Sequence, residues 1–543
     1  MKVKLFLSLV MGLSALVLQG QDSLNVSKLG QLDYPSTNLN DVWGYADGNG
    51  NEYALVGAES GFSIVDITTP SNPVEKGWIP GANSIWRDIK TWSHYAYVIH
   101  DNHGGPSDGI LIVDLDSVNQ TNQKFTNFYP TISVDTNSGT FLQAHNLYVD
   151  ENGILYVFGA AVPGVPSADV SGALMFDLTV DPENPVFVGV FNEYYLHDGM
   201  VRGDTLWASA IYQGKLFAVD VSNKMNPVIL GGIATPNNFT HNAWVSDDNK
   251  TVFTTDEKPG SFVAAYDVSD PTTMQELDRI QQSIDTSQVI PHNTHVLGNY
   301  LVTSYYTSGL QIVDASKPEI MVEVAYYDTS PFANSNFEGA WGAYPYLPSG
   351  NILVTDRQTG LWILGANYIP ASYFTGLVKD SVSGAMLVGA KVKILTAGDT
   401  LKTSIFGKFS TGYAIAGAYQ VEVSQPGYQT LSLSVNLISG KGTHKEIALL
   451  PNDFSVSEDE LPSFELSPNP SVSSFMLEIP TEFNRGETYL EIYSIAGKLV
   501  FSKSLGSQGE RVEIQHSLKA GVYEVFVKNK KFYFQPTKIL VIE

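Results

Sequence analysis

The sequence predicts an all-β chain, a seven-bladed β-propeller followed by two small β-sandwich domains of Ig-like type. Three observations carry that expectation. A motif of Gly, alternating apolar residues and Asp recurs at blade-sized spacing. Strand-like runs bounded by Asn, Asp, Gly and Pro fill the chain, and no stretch sustains the 3.6-residue apolar period of a helix. With 543 residues, 43% of them apolar and only 16% charged, the chain exceeds a single hydrophobic core and is too apolar for disorder.

In chain order, Lys2 and Lys4 precede the apolar run Leu5 to Leu18, and Gly20, Gln21 and Asp22 follow. Residues 1–20 therefore read as a signal peptide cut near Gly20. No later segment is apolar for long enough to span a bilayer, so no transmembrane segment is expected in the mature chain. The absence of cysteine excludes disulfides, thiol chemistry and a lipoprotein anchor, which leaves His, carboxylates, hydroxyls or a metal to do any chemistry. A net charge of −25 repels polyanions, so neither nucleic acid nor an anionic membrane surface is an expected partner.

The repeat comes next. Its copies are Gly61-Phe-Ser-Ile-Val-Asp66, Gly109-Ile-Leu-Ile-Val-Asp114, Gly172-Ala-Leu-Met-Phe-Asp177, Gly214-Lys-Leu-Phe-Ala-Val-Asp220, Ser261-Phe-Val-Ala-Ala-Tyr-Asp267 and Gly309-Leu-Gln-Ile-Val-Asp314. A seventh, Gly360-Leu-Trp-Ile-Leu364, lacks the Asp. Several continue into a polar turn with Pro and Val, as at Asn72-Pro-Val74, Asn184-Pro-Val186 and Asn226-Pro-Val228. With a further apolar strand upstream, such as Tyr53-Ala-Leu-Val56, each unit holds four short strands, the pattern of a propeller blade. The seventh unit has only three strands, while Asn25 to Leu32 reads as an outermost strand without a blade. The N-terminal strand is thus expected to complete the last blade and remove an open sheet edge. Each repeated Asp ends a strand before a turn and is expected to cap it through backbone N–H groups. These copies resemble the LVIVD repeat, and residues 25–368 as a whole resemble the choice-of-anchor B family. The resemblance implies a propeller and no particular activity.

From 371 to 451 shorter alternating strands take over, including Thr375-Gly-Leu-Val378, Ala390-Lys-Val-Lys-Ile394, Gly407-Lys-Phe409 and Gly417-Ala-Tyr-Gln-Val-Glu-Val423 before Gly427-Tyr428. That is a small β-sandwich pattern. It resembles the carboxypeptidase regulatory-like domain, which implies a non-catalytic spacer or adhesive module. The acidic stretch 452–462 reads as a flexible linker. Within 463–543, Leu466-Ser-Pro-Asn-Pro470, Leu490 to Lys498, Leu518-Lys-Ala-Gly-Val-Tyr523 and Lys538-Ile-Leu-Val541 stand in order. They resemble the C-terminal sorting domain of type IX secretion substrates. The implied partner is the type IX machinery of a Gram-negative cell, and the implied location is extracellular or on the outer-membrane surface, reached through the periplasm.

The chemistry-bearing residues emerge from aligning the units. The starts of their innermost strands become Asn40-Asp-Val-Trp43, Arg87-Asp-Ile-Lys90, His145-Asn-Leu-Tyr148, His197-Asp-Gly-Met200, His241-Asn-Ala-Trp244, His292-Asn-Thr-His295 and Glu338-Gly-Ala-Trp341. Four of the ten histidines fall in the first column, where chance would place well under one. Loops after the second strands emerge at the same face, so His100, Asp101, Asp256, Glu257, Tyr305, Asp356 and Arg357 are expected to rim the opening, with Asp88, Asp198 and His295 as further lining. Trp43, Trp244 and Trp341 are expected to pack between blades.

Converging imidazoles suit a late first-row metal such as Zn, Cu or Fe. His145, His197 and His241 form the favoured trio, with His292 next and Glu338 as an oxygen ligand. An ion with a vacant position could activate water or dioxygen. The alternative is a polar channel lining that only binds ordered water. No nucleophile elbow, phosphate loop or zinc-protease motif appears. Three functional readings stand open at this level: a surface propeller that binds a polypeptide or small molecule at the histidine mouth, a metal-dependent hydrolase or oxidase, and a non-catalytic adhesion or scaffold protein.

Overall fold

The computed structural model describes residues 22–102, 105–283, 288–332, 336–452, 462–480, 488–506, 511–529 and 534–543. The expected signal peptide and nearly all of the acidic linker lie outside them. Among the described residues, seven antiparallel sheets, six of four strands and one of five, make up the ring before residue 367. The first consists of Leu39–Ala46, Glu52–Ala58, Gly61–Asp66 and Val74–Pro80. The innermost strands of the others are Trp86–Trp92, Asn146–Val149, Asp198–Arg202, Thr240–Val245, Thr294–Leu297 and Ala340–Tyr344. Each innermost strand packs against the next, and the last packs against the first, so the sheets close into a ring. A closed ring of radially packed sheets is a β-propeller.

Closure occurs where the sequence predicts. Val26–Leu32 pairs with Gly360–Ala366 and supplies the outermost strand of the seventh blade. Two additions were not foreseen. Ser23–Leu24 pairs with Val322–Tyr327 as a fifth strand on the sixth blade, and the hairpin Thr131–Val134 with Asn137–Thr140 is inserted ahead of the third.

The second and third strands of a blade are covered on both faces by neighbouring blades, which is why Tyr53, Ala54, Leu55 and Val56 are apolar without alternation and fully buried. The repeated Asp residues serve the turns at the ends of their strands. Asp66, Asp114, Asp177, Asp220, Asp267 and Asp314 each accept the N–H two residues on, from Thr68, Asp116, Thr179, Ser222, Ser269 and Ser316.

Just before that Asp the outermost strand is bulged, with register shifts at Ile64/Val65, Met175/Phe176 and Ala218/Val219 among others. The bulge brings a residue of the outer strand against the turn of the next blade. Gly189 and Gly231 occupy that position, and a Cβ there would overlap the carbonyl oxygens of Lys224 and Pro271. Gly30 makes the same approach to Pro70 across the closing seam.

By its contacts the chain divides into two compact units. The first runs to Pro426 and includes Thr430–Leu449, so it holds both the ring and a pair of smaller sheets. One sheet orders Lys408–Tyr413, Ser372–Asp380 and Gly442–Leu449, the last two in parallel. The other orders Asp399–Lys402, Lys391–Ile394, Gly417–Ser424 and Leu431–Leu437. Val378, Val392, Ile394, Val421, Val423 and Leu449 are buried within this pair. It is keyed to the sixth blade. The Ala371 N–H donates to Asp314 Oδ2 at 2.7 Å, the Tyr373 hydroxyl lies 3.0 Å from Ser316 Oγ, and Lys317 Nζ sits 4.4 Å from the Tyr373 ring centre.

The second unit is Gly427–Gln429 with Leu450–Glu543. Its two sheets order Glu465–Ser467, Ser474–Glu478 and Arg511–Gln515, and Leu499–Gly506, Thr488–Ser494, Gly521–Asn529 and Thr537–Val541. They enclose a core of Phe475, Leu477, Ile492, Ile514, Val525 and Ile539. No helix among the described residues is long and apolar enough to cross a membrane.

Candidate functional site

The starts of the innermost strands meet at one mouth of the ring. His145, His197, His241 and His292 stand side by side there, with successive ring centroids 4.1, 4.2 and 4.5 Å apart and planes inclined by 55°, 49° and 48°. A seven-fold ring turns each blade by about 51° from the last. The inclination is that of the blades, so the four imidazoles are one structural position repeated. Indoles continue the row at both ends, Trp341 at 4.5 Å from His292 and Trp86 at 5.8 Å from His145.

Trp341 takes the place expected for Glu338. It occupies the bulge between Ala340 and Gly342, as His241 occupies that between Thr240 and Asn242. Ser304 Oγ donates to the Trp341 carbonyl as Thr255 Oγ1 donates to that of His292. The Trp at the fourth place of two other tetrads drew the seventh copy three residues out of register. Glu338 lies off the mouth, where its carboxylate accepts from Asn336 Nδ2 at 2.7 Å.

The other expected lining residues divide. Asn40 and Arg87 belong to the repeated position but spend their donors on backbone carbonyls, Asn40 on Ile85, Arg87 on Ala58 and Ala82. Asp88 and Asp198 lie one residue further along. Asp88 accepts from Lys90 at 2.7 Å and from the Leu147 N–H. Asp198 accepts from Asn242 Nδ2, and burial pushes it up to about 6. Asp256 and Asp356 are buried within their blades, where Thr235, Asn237 and Phe239, and Thr329, Gln358 and Thr359, donate to them. His295 lies deeper in the channel, 4.5 Å from Trp244 and 6.2 Å from Trp43. His100 is also withdrawn, its Nε2 accepting the Asp108 N–H at 3.0 Å.

Two carboxylates reach the histidine row, Asp101 at His145 and, between His241 and His292, Glu257 on the loop after the second strand of the fifth blade. The Glu257 oxygens lie 3.7 Å from His241 Nε2 and 3.9 Å from His292 Nε2. One ligand atom from each of the three lies within 4.8 Å of the other two. The Tyr306 hydroxyl donates to Glu257 Oε1. Tyr306 holds a φ of 30°, a conformation that favours glycine, and its ring packs T-shaped with that of His292, centroids 5.2 Å apart. The sequence placed Glu257 on the rim, but no local spacing marks Tyr306.

Electrostatics prepare these groups as neutral donors. His292 Nδ1–H donates to the Trp341 carbonyl at 2.7 Å, which leaves the Nε2 lone pair facing Glu257. Burial, opposed by that carbonyl and reinforced by neighbouring imidazoles, brings His292 down to about 3. Burial and then adjacent imidazoles hold His197 and His241 well below the ordinary histidine range. At the other end of the row, His145 Nδ1 lies 3.0 Å from Asp101 Oδ2. Burial outweighs the Tyr306 hydroxyl at Glu257 and pushes its carboxyl up to about 7. The space among the rings is ≈ 20 Å³, room for an ion or a water and nothing larger.

Residues 49–79 and 292–329 match the LVIVD repeat, and residues 465–543 match the secretion system C-terminal sorting domain. The molecule is thus a β-propeller protein carrying LVIVD repeats. More particularly, it carries a type IX sorting tail, which directs export to the cell surface or the extracellular space. Among solved structures it is similar to the β-propeller domain of Myceliophteria thermophila Cps50 (Swd1), at 12% identity and a TM-score of 0.42, over 63% of this chain and 100% of that one. No match was found among curated proteins.

Proposed function

We propose that this exported propeller holds a divalent first-row transition ion at its channel mouth through His241, His292 and Glu257. The observation that carries the reading is the convergence of one ligand atom each from His241, His292 and Glu257 within 4.8 Å of one another, with both imidazoles held neutral by burial. Two imidazoles with one carboxylate is the donor set of catalytic zinc sites and of non-haem iron sites. Metal–ligand bonds of about 2.0–2.1 Å in tetrahedral array separate donors by about 3.4 Å. His241 Nε2 lies 3.7 Å from Glu257 Oε2 and His292 Nε2 3.9 Å from Oε1, with the three donors within 4.8 Å of one another, so the side chains draw inward to close on an ion.

The surroundings support the same reading. The Trp341 carbonyl fixes the tautomer and tilt of His292, and Tyr306 orients Glu257. When bound, such an ion supplies a Lewis acid and lowers the pKa of a coordinated water. His197 stands beside His241 and offers a neutral imidazole to whatever occupies the remaining positions.

Elemental analysis of secreted protein purified without chelator tests the proposal. About one equivalent of zinc or iron is expected, falling sharply in His241→Ala and Glu257→Gln but not in His295→Phe. Absence of a stoichiometric ion from the unmodified protein, or equal loading of all variants, would overturn it.

A further inference from the structure

A second cavity opens on the same face as the histidine mouth, between the first and second blades. Its volume is ≈ 470 Å³, against ≈ 20 Å³ at the mouth. Small-molecule sites run from roughly 300 to 1,000 Å³. The mouth therefore has room for an ion and the groove has room for an organic ligand.

The two spaces share a wall. Trp86 lines both, and Asp101, on the groove side, pairs with His145. Anything seated in the groove lies one indole away from the histidine row. Trp86 is held in place by its strand, since Ser84 Oγ accepts the Trp86 N–H at 3.0 Å and donates to the Asp101 carbonyl at 2.6 Å.

The chemistry of the groove is selective. Thr37, Ser60, Asn83 and Asn102 bring hydroxyls and carboxamides, which both donate and accept, and Glu59 adds a carboxylate acceptor. No lysine or arginine is among the described residues that line it, and its acidic groups are already matched, Glu59 by Arg357 at 3.8 Å and Asp101 by His145 at 3.0 Å, so the lining offers no cationic group to an anionic ligand. Ser60 Oγ donates to Thr37 Oγ1 and Asn38 Nδ2 to Glu59 Oε1, which leaves further acceptor capacity on the hydroxyls and the carboxylate for the donors of a polar ligand. One class satisfies both the hydroxyl-and-amide walls and the indole: a neutral sugar, whose hydroxyls pair laterally while its C–H face covers an aromatic plane.

We infer that this groove binds a neutral saccharide and presents it beside the mouth. Binding stands on the groove alone; presentation to an ion rests on the metal reading above. The test is isothermal titration of the mature secreted protein with neutral cello-, malto-, manno- and xylo-oligosaccharides, run on chelator-treated and on zinc-loaded samples. At least one series should bind in both samples. Trp86→Ala should lose about tenfold in affinity or more. Because Trp86 also touches the histidine row, Ser60→Trp serves as a second variant, filling the groove from the opposite wall. It should abolish binding while leaving the thermal midpoint and the metal content unchanged.

Saccharide binding by protein that takes up no stoichiometric ion on zinc loading would uphold the groove and overturn the metal centre. A stoichiometric ion with no binding from any of the four series would do the reverse. Binding that survives Ser60→Trp, or binding of neutral peptides in place of sugars, would also overturn the saccharide assignment.

Discussion

Acid sensitivity of the propeller should trace in measurable part to one residue, His295. Its ring lies deep in the channel against Trp244 and Trp43, 6% exposed, with Nδ1 buried and unpaired. Burial, aided by the nearby Lys90 charge, brings it down to about 3. An unfolded chain returns it to about 6.5. A histidine depressed in the folded state contributes stability that is complete above about 6.5 and is lost as pH falls towards the folded value. Between pH 7 and 5 the unfolded state takes up a proton that the folded state refuses, which costs about 2 kcal/mol. His295→Phe keeps the ring packing and removes this proton. The assay is urea unfolding at pH 7 and pH 5, followed by tryptophan fluorescence, because all eight tryptophans lie between Trp43 and Trp362 and so report the ring alone. The loss of stability between the two pH values should be about 2 kcal/mol smaller in the variant. The other titrating groups are shared and cancel in that difference. An identical pH response in both proteins would refute the reasoning.

Three further outcomes are expected. Gly231→Ala forces a Cβ onto the Pro271 carbonyl of the next blade and should cost about 1–3 kcal/mol in the same assay. Gly48→Ala, which meets no atom within 4 Å, should cost far less, and equal effects would refute the interblade contact. Tyr306→Phe frees the Glu257 carboxylate and should weaken metal affinity about 10–100-fold in competition with a chelating dye; unchanged affinity would remove Tyr306 from the site. Deleting residues 22–32 exposes the edge of Gly360–Ala366, so size-exclusion chromatography with light scattering should show aggregation. A monomeric deletion variant with an undiminished cooperative transition would show that the seam contributes little.

Much of the fold was legible because a propeller states each requirement several times. The Asp that ends six of the seven repeats could be read as a turn cap since a turn follows it in each, and the orphan strand at 25–32 stood out because the seventh unit had only three strands. The four histidines were legible for the same reason, being one position viewed blade by blade. The features that escaped are those that occur once. Glu257 reaches the axis through a loop whose path no periodicity encodes, and Tyr306 matters through an unusual backbone angle. Trp341 was misplaced because tryptophan is suited to two layers of the channel, and alignment on the deeper one shifted Glu338 into the column of histidines. The hairpin at 131–140 belongs to a single blade and leaves no trace in the repeat.

Asp314 stands apart from its five counterparts in what its two carboxylate oxygens hold. One caps its own turn, and the other holds the Ala371 N–H, directly after the last strand of the ring. In mechanical terms that bond is a strain relief. Tension arriving from the C-terminal side would otherwise peel Gly360–Ala366 from its neighbours, and with it the zipper to Val26–Leu32 that shuts the circle. Because the chain is clamped at Ala371 and Tyr373, the load passes instead into the sixth blade. The ring is thus fastened to the smaller sheets at a point away from its own seam.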